Sequence, residues 1–469
     1  MPIIQDPKAP RPDPKAGEGE RRGDLGRDHV LNVNLPLREQ AYLLPRTPEE
    51  LRRKRSGLHE LEDGASVFAA GCADYAHALF AGWQAHERHL HASGIATAAN
   101  GERTLQRLYR LSEQRRALIT TSFHPIAGPG NGHPVLRFDP EGDLRLSGTQ
   151  TFGDEAAFAD ELLVFVRGND PKEPAAAVLV STASEGLRLQ PAGSGADRVQ
   201  GAQIHQHAPI VQNDHIDPND QKAPNDQKAP NDHNAPNVHV PSGSFSHVQA
   251  QYDDVKVPRE RLLFEGDTEA LNRLLNHPLV KSLADYQWAS RQLAALELIG
   301  GTAFALAEQT GLGRELHIQG ELGELIQRIE TLRALLHAAE LGAEAGPEGV
   351  LLPAPAPLQA ALKAGGDYYG KSVRTLQRIG AGAFLADPSV SAAAAGKPTL
   401  AQLAWQLAGS GAAARRALHE QHALGDSLAL SQELYRNYPV RLLRSRYAEF
   451  WRSLSPLARD GTHESEVRR

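Results

Sequence analysis

The sequence predicts a mainly helical protein with a small β domain in its middle. Apolar residues recur at three- and four-residue spacing before residue 120 and again from Asp267 towards the end, which is typical of amphipathic helices. Between these regions apolar and polar residues alternate, as they do in half-buried strands. A loop rich in glycine and proline, residues 121–132, joins the first helical pattern to the strands. This order of patterns predicts three structural units along the chain.

Composition narrows the classes of function. The chain has 469 residues and a formal net charge of -7, which argues against nucleic acid or an anionic membrane as the main partner. The one cysteine, Cys72, excludes a disulfide framework and a cysteine-based zinc or iron–sulfur site within one chain. No apolar run reaches the length of a membrane span. We therefore predict a cytoplasmic protein without a metal site.

The N-terminal part is predicted as a disordered tail, residues 1–42, followed by a helical domain, residues 43–133. Thr47 can cap a helix that has Pro48 at its first position. Residues 101–120 are predicted to form a further helix. Tyr75 lies on an apolar stripe, where a core tyrosine is the default interpretation. Three histidines near the end of that helix are predicted to form a solvated face: His86, His89 and His91.

The predicted β domain spans residues 134–264 and contains an insertion at about 212–242. The insertion repeats a six-residue unit, PNDQKA, with almost no apolar residues. Such a segment buries too little surface to offset its ordering entropy. We predict that it is disordered. The strands on either side are predicted around Leu144–Leu146, Leu162–Val166, Ala175–Ser184 and Tyr252–Phe264, with Pro258 ending a strand.

Residues 265–456 are predicted to form a four-helix bundle, and residues 457–469 a second tail. The four helical patterns cover Leu283–Gly311, His317–Gly342, Pro357–Ile379 and Leu400–Gln421. The third contains Gly365–Ser372, which formally satisfies the phosphate-loop pattern G-x-x-x-x-G-K-[ST]. A working phosphate loop needs a buried strand before it, whereas the preceding residues are alanine-rich and helix-prone. We therefore do not predict a nucleotide site there.

His124 stands out because it lies inside the Gly/Pro loop at the junction of helices and strands. A histidine in such a loop can hold or move a proton near neutral pH. It can equally form a hydrogen bond that only stabilises the loop. The residues alone leave both roles open.

Six colinear segments resemble the 4-hydroxyphenylacetate 3-monooxygenase family, the oxygenase half of two-component flavin systems. They are LLPRTPEELRRKR at 43–55, GCADY at 71–75, HPIAGP at 124–129, the strands at 146–165, YDDVKVPRERLL at 252–263 and the helix at 318–340. The resemblance implies an acyl-CoA dehydrogenase-like fold with a C-terminal four-helix bundle. It also implies a homotetramer, a dimer of dimers, that receives FADH2 from a separate NAD(P)H-flavin reductase.

The resemblance further implies the chemistry and the residues. Reduced flavin and O2 would form a C4a-hydroperoxide that hydroxylates a phenol ortho to its hydroxyl group. By motif position, Tyr75 and His124 would contact the phenolic oxygen. The flavin-contacting positions implied by the family are His124, Pro125, Ile126, Gly130, Asn131, Gly132, Asp154, Gln319, Pro388 and Ser389.

Two departures from the family motifs bear on the substrate. Gly71 stands where the family has an arginine at the phenol site, and Asp154 where it has a flavin-contacting threonine. Without that arginine, a phenolate would need a protonated His124, or the substrate would have to be neutral. We therefore expect a larger, neutral or carrier-bound aromatic rather than 4-hydroxyphenylacetate. Two alternatives stay open: a degenerate flavin-binding or scaffold paralogue, and an acyl-CoA dehydrogenase-type flavoenzyme.

Overall fold

The computed structural model describes the chain in ten segments. They are residues 41–56, 71–95, 104–122, 134–139, 143–157, 159–168, 170–191, 248–385, 399–424 and 427–454. The two predicted tails lie outside these segments, except for residues 41 and 42. The predicted repeat insertion and the His124 loop also lie outside them.

In the described residues, four helices precede the first strand. Thr47 caps the first helix as predicted, since its hydroxyl accepts a hydrogen bond from the Glu50 amide at 3.2 Å. Tyr42, at the end of the segment predicted as a tail, is buried, and its hydroxyl donates to the Ala117 carbonyl at 2.6 Å. The helices are α1 (Pro48–Ser56), α2 (Gly71–Ala85), α3 (Glu87–Ala92) and α4 (Thr104–Gln114).

The helix predicted over residues 101–120 is wrong at its C-terminal end. The helix stops at Gln114, and Ile119–Thr121 form strand β1. Arg116 has a φ of 50°, the left-handed conformation that ends a helix. The residues after it are apolar or β-branched and fully buried, which favours a strand packed on both faces. From the sequence alone, the apolar residues at this point fit the end of a helix as well as a short buried strand.

The middle of the chain forms two four-stranded sheets, and the predicted strands are present. The strands are β2 (Val135–Phe138), β3 (Leu144–Phe152), β4 (Glu161–Val166), β5 (Pro174–Ser181), β6 (Leu187–Pro191), β7 (Val248–Val257) and β8 (Leu262–Asp267). One sheet has the order β1-β4-β5-β8 and the other β2-β3-β7-β6. Strand β7 ends one residue before Pro258, as predicted. β1 pairs with β4 in parallel, whereas the other neighbours are antiparallel.

Strand β4 explains how this domain joins the helices. All six of its residues are buried. Because side chains alternate across a strand, Leu162 and Val164 pack into the core between the two sheets. Leu163 and Phe165 pack into the core that continues through the helices. One sheet is therefore covered on both faces, by the other sheet and by helices.

The described residues after β8 are mainly helical and include a short two-stranded hairpin, β9 (Glu344–Ala345) with β10 (Leu351–Leu352). The helices are α5 (Thr268–Leu275), α6 (Pro278–Gln309), α7 (Leu316–Leu341), α8 (Pro355–Leu385), α9 (Leu400–Ala408), α10 (Gly411–His422), α11 (Ser427–Asn437) and α12 (Val440–Leu454). Helix α6 lies at the centre, with α2, α7, α8 and α9 packed against it. The predicted fold class, mainly helical with a small central β domain, is confirmed.

The fourth predicted bundle helix, Leu400–Gln421, is in fact two helices. α9 ends at Ala408, and Ser410 then caps α10, where its hydroxyl accepts a hydrogen bond from the Ala413 amide at 3.0 Å. The Trp405 side chain occupies the space in which a Cβ at Gly409 would lie. A serine cap inside a continuous apolar pattern ends one helix and starts the next.

Candidate functional site

Tyr75 lies on α2, buried at the face that meets α6. The two helices approach closely at Gly82, two turns after Tyr75. A Cβ on Gly82 would lie 2.7 Å from the Val280 carbonyl oxygen and 2.9 Å from that of Leu279. Glycine is therefore needed there for the helices to meet at this distance. This contact fixes the position of Tyr75 over the first turns of α6.

Polar side chains from three elements surround Tyr75. The Lys281 ammonium lies 2.6 Å from Asp285 Oδ2 and 3.6 Å from Glu433 Oε1. The charges of Lys281, Asp285, Glu433 and Arg167 all act on the Tyr75 hydroxyl. The ring of Tyr75 meets that of Trp288 edge to face, with centroids 6.3 Å apart. We call Tyr75, Lys281, Asp285, Glu433 and Arg167 the Tyr75 cluster.

Burial dominates the ionisation of this cluster. It raises the pKa of Tyr75 well above the usual range, and the Asp285 carboxylate adds to that effect. Burial also raises the pKa of Asp285 to about 6, although Lys281 opposes it. Burial disfavours charge on Lys281 too, but Asp285 outweighs this and raises the lysine pKa. At neutral pH the cluster therefore contains a neutral phenol beside an ionised lysine–aspartate pair.

A second buried polar group lies further along α6. Arg291 Nη2 donates to Glu420 Oε2 at 2.5 Å, and the Gln292 side-chain amide donates to the Glu420 carbonyl at 3.4 Å. Burial disfavours charge on Glu420, but Arg291 outweighs this and lowers the carboxyl pKa. The Arg291 guanidinium also stacks 4.3 Å from the Trp288 ring. We call Arg291, Gln292 and Glu420 the Arg291 cluster.

A cleft of about 290 Å³, open to solvent, lies beside these clusters. Residues of α6, α8, α10 and α11 line it, among them Trp288, Lys363 and Glu420. Tyr75 does not line the cleft, because Trp288 stands between them. Most of this volume is open solvent, and the enclosed part holds about one water molecule, so the cleft does not have the size of a small-molecule pocket. Trp288 is thus shared by the cleft, the Tyr75 cluster and the Arg291 cluster.

The segment Gly365–Ser372, which formally matches the phosphate-loop pattern, lies inside helix α8, so no phosphate loop forms there. Its glycines have a packing role. A Cβ on Gly365 would collide with the Gln292 side chain, and one on Gly366 would lie 3.1 Å from the Glu420 carbonyl oxygen. Both glycines therefore allow α8 to approach the Arg291 cluster.

The other residues implied by the family are placed as follows. Gln319 lies exposed on the first turn of α7, where its side-chain amide donates to the Gly313 carbonyl at 3.1 Å. Asp154 begins a short 3-10 helix, Asp154–Ala157. Gly71 is the first residue of α2. Eight residues lie outside the described part of the chain: His124, Pro125, Ile126, Gly130, Asn131, Gly132, Pro388 and Ser389.

The predicted solvated face of histidines is wrong for His86. This residue is fully buried, and its Nδ1 lies 2.9 Å from the Gly82 carbonyl oxygen. Burial lowers the pKa of His86. His89 and His91 are exposed as predicted. The turn between α2 and α3 redirects the chain, and helical spacing alone could not show this.

Sequence reasoning missed most of the Tyr75 cluster. Asp285 was inside the predicted helix Leu283–Gly311 and Lys281 was two residues before it, and a charged pair at i, i+4 is usually solvated. The signal was that they share one helix face with Ala284 and Trp288, at i, i+3, i+4 and i+7, in a helix apolar almost all round. Arg167 carried no such signal.

The C-terminal part matches a family model. Residues 279–397 match the model described as 4-hydroxyphenylacetate 3-hydroxylase C terminal, HpaB. A Bacillus subtilis protein named probable 4-hydroxyphenylacetate 3-monooxygenase is 26% identical over 206 residues. A Thermus thermophilus protein named 4-hydroxyphenylacetate 3-monooxygenase oxygenase component is 27% identical over 217 residues. These parts of the chain are thus similar to proteins of this family.

These alignments are partial. They cover 40% and 42% of this chain, and the chain spans 43% and 45% of the length of the two relatives. The matched family model likewise covers the helical part after β8 and the segment that follows α8.

Comparison of structures covers more of the chain. The oxygenase component of 4-hydroxyphenylacetate 3-monooxygenase complexed with FAD and 4-hydroxyphenylacetate superposes with a TM-score of 0.66 at 21% identity, over 89% of this chain and 85% of that one. An archaeal 4-hydroxybutyryl-CoA dehydratase from N. maritimus gives 0.62 at 12% identity, over 92% and 84%. The predicted acyl-CoA dehydrogenase-like fold is thereby confirmed. Within the described residues, no helix combines the length and apolar character that crossing a bilayer requires.

Proposed function

We propose that this chain is the oxygenase component of a two-component, FADH2-dependent monooxygenase that hydroxylates a phenolic aromatic ortho to its hydroxyl group. One oxygen atom of O2 would enter the ring and the other would leave as water, while FADH2 is oxidised to FAD. The observation that carries the proposal is the placement of Tyr75. The residue that the family motif assigns to the phenolic oxygen is buried in a cluster of ionisable groups where helices meet the β domain.

The described side chains beside Tyr75 include an aromatic ring and an unsatisfied acceptor. Tyr75 and Trp288 present aromatic edges, and Asp285 Oδ1 is buried without a hydrogen-bond partner among the described residues. A buried polar atom of this kind is usually satisfied by a ligand or by water. The residues proposed to hold FAD are those implied by the family, chiefly in 124–132 and at Gln319, Pro388 and Ser389. When bound, reduced flavin supplies the electrons that activate O2.

The chain's own groups would then exclude water and hold protons. The raised pKa of Tyr75 keeps its hydroxyl protonated, so it can donate a hydrogen bond to a phenolic oxygen. His124 is proposed as the group that exchanges a proton with that oxygen. The buried surroundings of Tyr75 strengthen such polar contacts, since the local dielectric is low.

The substrate proposed is not 4-hydroxyphenylacetate itself. Gly71 lacks the charge of the family arginine, and Asp154 lacks the threonine hydroxyl. A larger or carrier-bound aromatic, without a second anionic group close to the phenol, fits these losses better. Efficient turnover of 4-hydroxyphenylacetate would contradict this part of the proposal.

Assembly and partners are proposed with the function. A homotetramer would cover exposed apolar side chains of α12, among them Leu443, Phe450 and Trp451, and would allow Gln319 to reach a neighbouring site. A separate NAD(P)H-flavin reductase would deliver FADH2 in the cytoplasm. Analytical ultracentrifugation of the full chain tests the assembly, and a monomer at micromolar concentration would contradict it.

The decisive experiment is an anaerobic titration of the purified full chain with FADH2, followed by mixing with oxygenated buffer in a stopped-flow spectrometer. The expected result is saturable binding and reoxidation slower than that of free flavin, with a hydroxylated product when a phenol is present. Failure to bind reduced flavin would favour a scaffold paralogue. Reduction of bound FAD by an acyl-CoA would favour the dehydrogenase alternative.

A further inference from the structure

The contact between α2 and α6 has a histidine on each side. His86 follows the last residue of α2, and its Nδ1 lies 2.9 Å from the Gly82 carbonyl oxygen. A carbonyl only accepts hydrogen bonds, so Nδ1 carries the proton and Nε2 of the neutral ring carries none. His277 precedes α6, and its Nδ1 accepts a hydrogen bond from the Leu279 amide at 3.3 Å. The two rings therefore hold the helices where the Gly82 backbone meets the first turn of α6.

Protonation of His277 would remove the cap of α6. A neutral imidazole can accept a hydrogen bond at Nδ1, whereas an imidazolium has donors at both nitrogens. A protonated His277 would turn an N–H group towards the Leu279 amide and leave that amide without its acceptor. The positive charge would also lie at the N-terminus of α6, where the helix dipole disfavours cations. Both effects weaken the turn against which Gly82 packs.

His86 is placed where a second proton is unfavourable. Its side chain is fully buried, and among the described residues Nε2 has no hydrogen-bond partner. This nitrogen faces the turn of the β9–β10 hairpin, because a Cβ on Gly346 would lie 2.9 Å from it. A proton on Nε2 would place a positive charge in the interior, and removing a charge from water costs free energy.

The surroundings of both rings favour their neutral forms. Burial lowers the pKa of His86, and His89 on α3 adds to this, whereas the two carbonyls of the α2–α6 contact and Glu348 in the hairpin turn oppose it. Burial also lowers the pKa of His277, and the charges of His89 and His86 add to this. The charged groups that face the rings thus come from α3, from the hairpin and from the α2–α6 contact itself.

We propose that His86 and His277 form an acid-sensitive latch, which holds α2 on the first turn of α6 only while both rings are neutral. The open contact binds protons more tightly than the closed one, so the latch is stable above pH 6.5, the ordinary pKa of histidine, and loses stability as pH falls below it. Tyr75 lies two turns before Gly82 on α2, so opening would displace the buried phenol. The inference goes beyond the proposed function and does not rest on it.

The test is amide hydrogen exchange of the full chain at pH 5.5 and pH 7.5, measured by mass spectrometry. Each peptide is corrected for its intrinsic exchange rate with the denatured protein at the same pH. We expect protection of residues 75–86 and 279–285 to fall about 2- to 30-fold at the lower pH, the equilibrium equivalent of losing one helix cap. Residues 325–336 of α7 are the internal reference and should not change.

The titration of Asp285 cannot produce the expected fall. Its pKa is raised on folding to about 6, so the folded state binds this proton more tightly than the unfolded state does. Acidification through this range therefore favours the folded state at Asp285. The effect has the opposite sign to that of the latch.

A double variant separates the charge of the rings from their hydrogen bonds. His86→Asn combined with His277→Asn keeps a donor at the first position and an acceptor at the second, and asparagine is a favoured N-cap. Neither amide can become charged, so this variant should not lose protection at the lower pH. His317→Asn is the matched control, since it makes the same change at an exposed histidine on α7, and it should retain the pH dependence of the unmodified protein.

Three results would overturn the inference. They are equal protection of the latch residues at both pH values, the same acid-induced loss in the double variant, and an equal loss in residues 325–336, which would show global unfolding. If circular dichroism at pH 7.5 shows that the double variant does not fold, His277→Asp replaces it, because this side chain keeps an acceptor and cannot become cationic. Undiminished acid-induced opening of residues 279–285 in that variant would then contradict the latch.

These outcomes are separable from those of the proposed function. The exchange experiment contains neither flavin nor substrate, so failure of the latch leaves the FADH2 titration as it stands. Failure to bind FADH2 would likewise leave the acid-sensitive contact of α2 with α6 unaffected.

Discussion

The two polar clusters on helix α6 are built differently. In the Arg291 cluster one cation faces one carboxylate at 2.5 Å, and the glycines of α8 close the helices around them. In the Tyr75 cluster both carboxylates lie on Lys281. Among the described residues, Asp285 Oδ1 has no hydrogen-bond partner and no carboxylate lies within ion-pair distance of Arg167. Gln292 Oε1 of the Arg291 cluster is likewise buried without a hydrogen-bond partner among the described residues, so the two clusters differ in how their charges are paired and not in whether every polar atom is satisfied.

The largest expected change in the free energy of unfolding comes from a substitution in the Arg291 cluster. Glu420→Gln removes the carboxylate charge that contacts Arg291 at 2.5 Å inside the helical core. We expect the free energy of unfolding to fall by about 3–5 kcal/mol, measured by urea denaturation. Glu49→Gln, which removes an exposed partner of Arg52, should change it by less than about 1 kcal/mol. Equal effects would show that the Arg291 pair is not a structural element.

The contact that positions the Tyr75 cluster can be disturbed without changing a charge. Gly82→Ala places a Cβ against the backbone of Leu279 and Val280, so it should destabilise the protein by about 1–3 kcal/mol and weaken phenol binding. Gly301→Ala is the control, since a Cβ there meets nothing within 4 Å on the same helix α6. That change should stabilise by about 0.5–1 kcal/mol. Differential scanning calorimetry measures both.

The pH dependence of stability tests the burial of Asp285. Its pKa rises from 3.8 to about 6 on folding, so the folded state binds the proton more tightly between these values. The contribution of this group is therefore present below about pH 4 and is lost as pH rises through 6. We expect the stability difference between the unmodified protein and Asp285→Asn to change by about 1–3 kcal/mol across that window. Parallel curves between pH 4 and 7 would contradict the burial argument.

The smallest expected effect on stability comes from Tyr75→Phe. Removing one buried hydroxyl should lower the free energy of unfolding by about 0.5–1.5 kcal/mol. Phenol binding should weaken far more than stability, because the proposed role of this hydroxyl is to contact the ligand. Tyr447→Phe, on the exposed face of α12, should change neither. Equal binding of the phenol by both variants would remove Tyr75 from the site.

The parts of the fold that follow from local patterns were predictable, and those that depend on tertiary contacts were not. Thr47, Pro258 and the long apolar stripes act through local geometry, so the elements they define were found. Ile119 and Thr120 were assigned to a helix because their pairing partner, β4, lies more than 40 residues away. His86 was assigned to the surface because only the packing of α2 against α6 buries it.

In the candidate site, too, the residues marked by a local pattern were predictable and those placed by tertiary contacts were not. Tyr75 was found through a motif, and its surroundings confirm that it is buried. Arg167 could not be found, because neither a motif nor a periodic pattern marks it in the sequence. The flavin-binding role of Asp154, Gln319, Pro388 and Ser389 remains a prediction, as does that of the loop around His124.

The parallel pairing of β1 with β4 has a consequence for dissecting this protein. β1 precedes the predicted domain boundary at residue 134, yet it supplies the strand at one edge of a sheet whose other strands follow that boundary. A recombinant fragment starting at residue 134 would expose the edge of β4, a strand of six buried residues. Unpaired apolar edges recruit further strands. Such a fragment should aggregate, and adding residues 117–122 as a separate peptide should restore its solubility.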